Sequence, residues 1–533
     1  MRLGIDFGTT RVTVAAADRG NYPVVSFECP DGAVRDWFPP LVAVRGDEVR
    51  YGWDAWGVQA EDGWTVLRSV KRLLGQAGMH TQVEVGPRRL TVAELLEGLG
   101  RALKHYLLER SNLRLSGAPQ VMLGVPANSN TNQRFLTAEG FRRAGFQVLG
   151  ILNEPSAASI EFGHFHRLTG TARGPTVVLV YDLGGGTFDA SLVEADQQTH
   201  TVIASEGLET LGGDDFDEIL ARLALERAGL EFDTLSLAET FLLLEECRGK
   251  KEALHPNTRK IVVDLDTVRA GWGEVTVPVA DFYAACRPLV EETIQLVEEM
   301  LAAHGFCEDG GRRLDALYVT GGGSELPLVA RELRERFERR VKRSAHARSA
   351  TAIGLAIQAD ASAGYRLRDR FTRNFGVWRE ADEGARISFD ILFPKGHSLP
   401  APGENPIQIC RRYRPAHNIG HFRYLECTRV DETGRPAGDL TLWDEILYPF
   451  DPALESCQEL EAVPVIRVPE ASSQWVEETY ACDAGGAVSV TITNLATGHR
   501  RVYRLARWAA REAPLRPPSS KASAVRRRGA GSA

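Results

Sequence analysis

Two short segments of the sequence each combine an acidic residue with a turn rich in glycine and threonine. Asp6 precedes the first turn and Asp182 precedes the second. Glycine lets backbone N–H groups approach a phosphate chain without a Cβ in the way, and threonine adds a hydroxyl donor. Two carboxylates also suit Mg²⁺, which prefers oxygen ligands and retains part of its water shell. The turns therefore predict a site for a Mg²⁺-bound nucleoside triphosphate, with the candidate phosphate-binding residues Gly8, Thr9, Thr10, Gly184, Gly185, Gly186 and Thr187.

Each acidic residue lies at the end of a strand-like apolar run. Residues 3–7 lead into the first turn and residues 178–183 into the second, and an alternating run follows each turn. Asp6 and Asp182 are 176 residues apart, which predicts two similar lobes that face each other. In a third copy, a strand at Ala316–Thr320 and a glycine turn are followed by helical spacing over 326–336. The alternative is that each segment is only a tight hairpin.

The composition is typical of a globular protein. The chain has 533 residues, 43% of them hydrophobic, and is expected to form about three or four folding units. Its net charge of −8 argues against general affinity for nucleic acid. No segment approaches the ~20 apolar residues of a membrane span, and an acid near the start argues against a secretion signal. Eight scattered cysteines without a Cys-x-x-Cys pair predict a cytoplasmic protein with free thiols.

The sequence changes character near residues 360–375. Before this point, strand-like runs alternate with helical ones. After it, short β-type runs are separated by proline and glycine, at 387–393, 407–409, 422–425, 463–468 and 488–492. We therefore predict a nucleotide-binding α/β domain at 1–362, an interdomain linker at 363–374 and an all-β domain at 375–510. Residues 511–533, rich in Pro, Ser, Arg and Gly, are predicted to be a disordered tail.

Several motifs together resemble one known family. Residues 4–10 and 181–189 resemble the two phosphate loops of the 70-kDa heat-shock chaperones (DnaK type), which belong to the actin-like ATPase superfamily. Similar motifs follow in the family's order at 70–75, 125–127, 133–134, 151–158, 211–217 and 321–323. The resemblance implies an α/β actin-like ATPase domain of two RNase-H-like lobes. It also implies a small peptide-binding β-sandwich, to which residues 393–400 and 483–490 are similar; the alternative is an unrelated β domain.

The resemblance also implies slow hydrolysis of ATP by in-line attack of water on the γ-phosphate. Lys71 would place a positive charge near this phosphate, Glu154 and Asp182 would hold water, and Thr187 would contact the γ-phosphate. Asp6 and Asp182 are the implied Mg²⁺ ligands. Only eight of the 63 cationic side chains are lysine, which adds weak support for Lys71. The remaining implied contacts to ATP or ADP are Gly212, Gly213, Asp214, Lys251, Gly321, Gly322 and Gly323, with Asp189 as a weaker candidate.

The sequence departs from the family pattern at the adenosine site. The family clamps adenosine with an acid, a lysine and a serine of one helix, where this chain has Arg248, Lys251 and His255. Glu325 occupies the position of the arginine that stacks on adenine. We therefore expect an intact phosphate site, with weaker binding of the base or lower selectivity for adenine.

Two further departures concern the linker and the lid. Residues 364–371 are basic and barely apolar, where the family has an acidic and leucine-rich linker, so the coupling between ATP and the β domain is in question. About 25 residues follow the last predicted strand, near 501–508, which leaves no room for the family's helical lid and predicts fast peptide release. Pro126 and Arg134 resemble positions that relay the nucleotide state.

The implied partners are unfolded or extended peptide segments, a J-domain co-chaperone and a nucleotide exchange factor, with no nucleic acid and no membrane. A second interpretation stays open: a nucleotide-binding actin-like scaffold with little turnover and one dedicated partner. A sugar kinase fits less well, because the second loop has the chaperone form. The arginines between 331 and 348 are interpreted as a solvated helix face, or as a surface for an acidic partner.

Overall fold

The computed structural model describes residues 1–115, 117–166, 175–306, 313–381, 386–401, 404–443, 445–457 and 459–505. These residues form two α/β lobes followed by an all-β region. The tail predicted at 511–533 lies outside the described residues. Within the described part of the chain, no helix has the length and apolarity that a membrane span requires.

The first lobe is built around a mixed sheet. Its strands are β1 (Arg2–Phe7), β2 (Val12–Ala16), β3 (Phe27–Glu28), β4 (Val34–Arg35), β5 (Val42–Arg45), β6 (Glu48–Tyr51), β7 (Thr65–Leu67), β8 (Gln82–Val85), β9 (Arg88–Thr91), β10 (Gln120–Val125) and β11 (Gln147–Asn153). Its helices are α1 (Trp53–Val58), α2 (Val92–Glu109), α3 (Thr131–Arg143) and α4 (Glu154–Phe165). The central sheet has the order β11-β10-β1-β2, with β1 parallel to β10 and antiparallel to β2.

The second lobe repeats this plan in a larger sheet. Its strands are β12 (Thr176–Leu183), β13 (Phe188–Asp196), β14 (Thr199–Leu208), β15 (Lys260–Asp264), β16 (Glu274–Pro278), β17 (Ala316–Thr320), β18 (Val341–Arg343) and β19 (Arg366–Arg368). Its helices are α5 (Gly213–Ala228), α6 (Leu237–Glu252), α7 (Val279–Ala303) and α8 (Pro327–Phe337), and α9 (Ala350–Ala359) returns to the first lobe. The sheet order is β18-β17-β12-β13-β14-β19.

The predicted strand–turn–strand units are confirmed in both lobes. In β1 and β2, Asp6 pairs with Thr13, and in β12 and β13, Asp182 pairs with Asp189. Both hairpins read as continuous apolar runs because helices cover both faces of the strands. The helical exit of the third copy is confirmed as α8.

The two lobes meet where α4 packs on α9. A Cβ at Gly354 in α9 would lie 1.8 Å from the carbonyl oxygen of Ala157 in α4, and a Cβ at Gly4 in β1 would lie 2.2 Å from the carbonyl oxygen of Ala352. No side chain fits at these distances, so both glycines are needed for the close contact. The contact places the ends of β1 and β12 on either side of a single cleft.

Glu161, buried in α4 beside the second lobe, predicts a pH dependence of stability. Burial raises its pKa to about 7, although Tyr318 and Ser344 donate hydrogen bonds that oppose the shift. Because the pKa of Glu161 is higher in the folded state, the protonated carboxyl stabilises the fold. This contribution to the free energy of unfolding is complete below the unfolded pKa of 4.5 and is lost as the pH rises through 7. In denaturant titrations, the free energy of unfolding of Glu161→Gln should therefore rise by about 3 kcal/mol relative to that of the wild type between pH 5 and pH 8.

The exposed Glu226→Gln in α5 is the matched control for Glu161→Gln. Its difference in unfolding free energy from the wild type should stay constant over the same pH range. A Glu161→Gln difference that is equally constant would show that the buried carboxyl is charged at neutral pH.

The segment predicted as a linker forms the edge strand β19. It pairs in parallel with β14 through Thr199, His200 and Thr201, and the side chain of Leu367 is only 2% exposed. The flanking Arg366 and Arg368 are exposed. The segment therefore contacts the second lobe through strand pairing, through Leu367 and through the ring of Tyr365, whose centre lies 5.7 Å from that of His200.

Residues 374–505 form an all-β region, here named the C-terminal β region. Its strands are β20 (Asn374–Ala381), β21 (Arg386–Phe393), β22 (Ile407–Tyr413), β23 (Ile419–Phe422), β24 (Tyr424–Val430), β25 (Pro436–Leu442), β26 (Ile446–Pro449), β27 (Val476–Cys482), β28 (Val488–Asn494) and β29 (Arg500–Arg504). Strands β23 and β26 pair with each other, and of the two four-stranded sheets one has the order β21-β20-β24-β25 and the other β22-β27-β28-β29. The rings of Tyr424 and Tyr480 meet edge to face between them, 6.2 Å apart.

The strand predicted at 463–468 is wrong. This segment lies outside the named strands and is held by Asn418. The side-chain oxygen of Asn418 accepts a hydrogen bond from the N–H of Ile466 at 2.9 Å, and the backbone N–H of Asn418 donates to the carbonyl oxygen of Ile466 at 3.0 Å. Pro464 lies within the segment and Pro469 directly follows it, and proline has no N–H to donate to a sheet. The apolar run was therefore a poor guide to strand formation here.

The C-terminal β region packs against the first lobe. Glu426 in β24 is 3% exposed and accepts a hydrogen bond from the Thr131 N–H at the start of α3, at 3.1 Å. Arg134 in the same helix donates to the carbonyl oxygen of Gly485 at 3.4 Å. Asn153 donates to Asp369, just after β19, at 2.9 Å. Polar contacts therefore connect the first lobe both to the C-terminal β region and to the segment that precedes it.

Candidate functional site

A cavity of about 860 Å³, its open mouth included, lies between the two lobes. The ends of β1, β12 and β17, the start of α5 and the end of α6 surround it. The structure brings together most of the predicted site residues in its lining: Asp6, Gly8, Thr9, Thr10, Lys71, Glu154, Asp182, Gly184, Gly185, Thr187, Gly213, Asp214, Lys251, Gly321, Gly322 and Gly323. Gly186 and Gly212 do not line it but pack against lining residues.

The glycine loops of the two lobes face each other at very short range. A Cβ at Gly185 would lie 2.1 Å from Oγ1 of Thr10, and a Cβ at Gly212 would lie 2.6 Å from the backbone of Gly185. Gly321 has a φ of +82°, and its Cβ would lie 2.2 Å from the carbonyl oxygen of Leu183. These glycines leave no room for side chains, so backbone groups of both lobes can surround a phosphate chain.

The first turn of α5 is held against the second loop. The N–H groups of Gly213 and Asp214 donate to the carbonyl oxygens of Gly184 and Gly185, at 2.9 and 2.7 Å. The hydroxyl of Thr10 donates across the cleft to the carboxylate of Asp214 at 3.2 Å. The sequence motif around 211–217 therefore positions the second glycine loop and also connects it to the first.

Four carboxyl groups interact electrostatically with the ammonium group of Lys71, and three of them, those of Asp6, Glu154 and Asp182, line the cavity. Nζ of Lys71 lies 2.6 Å from Oε1 of Glu154, the first residue of α4. Burial raises the pKa of Asp6 to about 7, with Glu154 adding to the rise and Lys71 opposing it. Burial and the neighbouring carboxylates raise the pKa of Asp182 well above its ordinary value. Burial and the neighbouring Glu154 also raise the pKa of Asp189, to about 7.

Asp189 has a structural contact besides its place near the cluster. It accepts a hydrogen bond from the N–H of Ala127 at 2.9 Å, in the segment that follows β10. The second lobe is thereby attached to the motif at 125–127 of the first lobe. Pro126 lies next to this bond and lines a second cavity of about 2400 Å³, which reaches from Thr9 and Thr187 to β25 of the C-terminal β region.

Paired charges line another part of the cavity. Nζ of Lys251 donates to the carbonyl oxygen of Gly213 at 2.6 Å and lies 2.7 Å from Asp217. Arg248 also lies beside Asp217, at 3.4 Å, and is bonded to Glu245 at 2.6 Å. His255 does not line the cavity and is exposed. Of the three positions that the sequence compared with an adenosine clamp, two therefore line the site.

Sequence reasoning missed four charged residues that line this cavity: Arg11, Asp217, Glu252 and Arg348. Arg11 and Glu252 are direct neighbours of Thr10 and Lys251 in the chain, which is the one local signal that could have found them. Arg348 belongs to the arginine-rich run at 331–348, which the sequence analysis interpreted as a solvated helix face or a surface for an acidic partner; instead it lines the cavity and donates to Glu252.

The chain is similar to chaperones of known sequence. A family model described as Hsp70 protein matches residues 92–372. The chaperone protein HscA of Serratia proteamaculans (strain 568) is 33% identical over 377 residues, 68% of this chain and 58% of the relative. The HscA homolog of Aeromonas salmonicida (strain A449) is 34% identical over 379 residues, 67% of this chain and 57% of the relative. The matched part thus spans under three fifths of these relatives.

Proposed function

Because this chain belongs to the Hsp70 family, we propose that it is an ATP-regulated chaperone of the cytoplasm. In this proposal, an actin-like domain at 1–362 binds and slowly hydrolyses ATP, a linker follows at 363–374, and residues 375–510 form a β-sandwich that holds extended peptide segments. The observation that carries the proposal is the pair of facing glycine loops above a buried cluster of carboxylates and Lys71. A J-domain co-chaperone and a nucleotide exchange factor are the proposed regulatory partners.

The carboxylate cluster fits Mg²⁺. Asp6 and Asp182 bring hard oxygen donors from the two lobes, and the rise of both pKa values reflects a buried site with more negative charge than Lys71 neutralises. A divalent cation would favour their charged forms. Bound Mg²⁺ would neutralise charge on the phosphates, and we propose that Asp6 and Asp182 hold it through water.

The residues around the γ-phosphate position would assist attack by water. Lys71 would donate to a γ-phosphate oxygen, and the hydroxyl of Thr187 would donate to another. Glu154 and Asp182 would accept hydrogen bonds from the attacking water and orient it in line. A bond from the water oxygen to the γ-phosphorus forms while the bond to the β,γ-bridging oxygen breaks, which yields ADP and inorganic phosphate. The remaining phosphate contacts would come from the glycine loops, with Lys251 and Asp214 on the ribose side.

The interface with the C-terminal β region supports coupling between ATP and peptide binding. Arg134, 6% exposed, contacts Gly485 on one side and Asn153, the residue before Glu154, on the other. A change at the γ-phosphate that moves Glu154 would therefore alter the contacts of Arg134 with the C-terminal β region. Such a connection is the physical requirement for a nucleotide-dependent peptide site.

The coupling is tested by the release of a fluorescent, extended apolar peptide. We expect ATP to accelerate its dissociation by ~10-fold or more, the range of ordinary allosteric coupling. Arg134→Ala should reduce this acceleration to about twofold or less, because the contact with Gly485 is lost. Arg143→Ala on the same helix, where Glu139 is the one ion-pair partner of the side chain among the described residues, is the control and should behave as the wild type. Equal dissociation rates with and without ATP in the intact chain would contradict the proposed regulation.

A further inference from the structure

The outer wall of the nucleotide cavity is built from four charged side chains, Arg11, Arg248, Glu252 and Arg348. None of the described side chains that line the cavity is aromatic. A site that distinguishes one base from another needs donors and acceptors that are free to pair with the edge of that base. Whether the wall can distinguish one base from another therefore depends on the hydrogen-bond and ion-pair partners of these four residues.

Glu252 connects two arginines that come from distant parts of the chain. Nη2 of Arg11 lies 2.8 Å from Oε1 of Glu252, and Nη1 of Arg348 lies 2.9 Å from Oε2. Although burial opposes it, the two guanidinium groups hold the pKa of Glu252 below its ordinary value. Arg348 is bonded on its other side to Glu325, through Nε at 2.6 Å and Nη2 at 2.5 Å. Both oxygens of Glu252 are thus occupied.

Arg248 is equally occupied. Its Nη1 lies 2.6 Å from Glu245, its Nη2 lies 3.4 Å from Asp214, and its Nε lies 3.4 Å from Asp217. A base edge that bonds to any of these paired atoms must replace an ion pair that already exists. The exchange gains little for any of the bases, since one charge-assisted hydrogen bond is lost for each neutral one formed.

We infer that this site selects its ligand by the triphosphate and accepts nucleoside triphosphates of any base, because ion pairs occupy Glu252, Arg348 and Arg248, and Arg11 is held to Glu252 through Nη2. This inference rests on the proposed function, since it concerns the same cavity. Arg11 also offers a surface for the base: its guanidinium lies 4.9 Å from the ring centre of Trp37. The opposite face of a guanidinium plane stacks on every base, and stacking tolerates all of them.

The inference is tested by competition against a fluorescent, Mg²⁺-bound triphosphate on the full chain. The competitors are ATP, GTP, CTP, UTP and inorganic tripolyphosphate, each with Mg²⁺. We expect the four nucleotides to bind within roughly threefold of one another, because stacking is tolerant of the base. A preference for ATP of tenfold or more over the other three would overturn the inference.

The tripolyphosphate arm separates this inference from the proposed function. If tripolyphosphate and all four nucleotides fail to compete, the phosphate site itself is wrong and both proposals fall. If ATP and tripolyphosphate compete while GTP, CTP and UTP do not, the phosphate site stands and only the inference about the base is overturned.

Glu252→Ala gives a second, directional test. Without the carboxylate, Arg11 and the Nη1 group of Arg348 lose their partner and become free donors. Guanine presents two acceptors, O6 and N7, to such donors, so GTP should gain about fivefold over ATP. Glu274→Ala in β16, an exposed position outside the cavity, is the control and should leave the order of affinities unchanged. An unchanged GTP-to-ATP ratio in Glu252→Ala would show that the ion pairs do not set base selectivity.

Discussion

Lys71→Ala is expected to reduce single-turnover ATP hydrolysis by ~100-fold or more, the usual effect of removing one well-placed donor from a developing charge. The ammonium group of Lys71 is buried and bonded to Glu154, so no solvated cation can take its place. Cleavage is measured by acid quench with enzyme in excess over ATP. Affinity for MgADP should change much less, since Lys71 is proposed to contact the γ-phosphate that ADP lacks.

Lys250→Ala is the matched control for this prediction. Lys250 lies in the last turn of α6, is partly exposed and contacts Glu246 at 3.2 Å, so its loss should leave hydrolysis within about twofold. If Lys71→Ala hydrolyses ATP at the wild-type rate, the assignment of Lys71 is wrong. If the wild type itself shows no turnover, the interpretation of this chain as a nucleotide-binding scaffold with one dedicated partner is favoured.

Gly185→Ala is expected to weaken MgATP binding by ~10-fold or more, by the arithmetic of a few kcal/mol of overpacking. The new methyl group would lie 2.1 Å from the Thr10 hydroxyl of the opposite lobe, so the two loops must separate. Separation moves the N–H donors of both loops away from the phosphates. The measurement is the affinity for MgATP, combined with thermal unfolding to show that the variant is folded.

Gly249→Ala controls for the general effect of replacing a glycine. Gly249 lies within α6, and a Cβ there would meet no heavy atom within 4 Å. Alanine favours helix more than glycine by ~1 kcal/mol, so this variant should be slightly more stable and should bind MgATP normally. Normal MgATP affinity in Gly185→Ala would contradict the close approach of the two loops on which the site depends.

The sequence predicted the two strand–turn–strand units with their glycine turns because their signals are local. The acid at the end of a buried strand, the glycine turn and the return strand all lie within about ten residues, at Asp6 and again at Asp182. The spacing of the two copies then predicted two lobes. The residues that β1 and β12 bring to the cleft followed from these patterns and from the family resemblance.

The outer wall could not be predicted in the same way. Arg11 is 241 residues from Glu252 in the chain, and Glu252 is 96 residues from Arg348. Side chains of this kind carry no local pattern, and their pairing follows only from the packing of α6 and α9 around the cleft. The sequence showed that Arg248 and Glu325 depart from the family's adenosine-binding pattern. The ion pairs that these residues form are visible only in the structure.

The contact between the linker segment and the second lobe also could not be predicted from the sequence. Residues 364–371 are basic, and one leucine among arginines gives a weak apolar signal. Leu367 is nevertheless buried, because the edge of β14 offers both backbone partners and an apolar surface. Similarly, Glu426 gave no hint that it would be buried against Thr131, since a glutamate in a strand is usually solvated.

The central claim, that the two lobes hold a Mg²⁺-bound triphosphate between their glycine loops, is tested most directly by calorimetric titration of the full chain with ATP. With Mg²⁺ present, we predict saturable binding of one ATP per chain at micromolar concentrations, on the order of −8 kcal/mol. With Mg²⁺ removed by a chelator, this binding should weaken strongly. No heat of binding at millimolar ATP and Mg²⁺ would contradict the account.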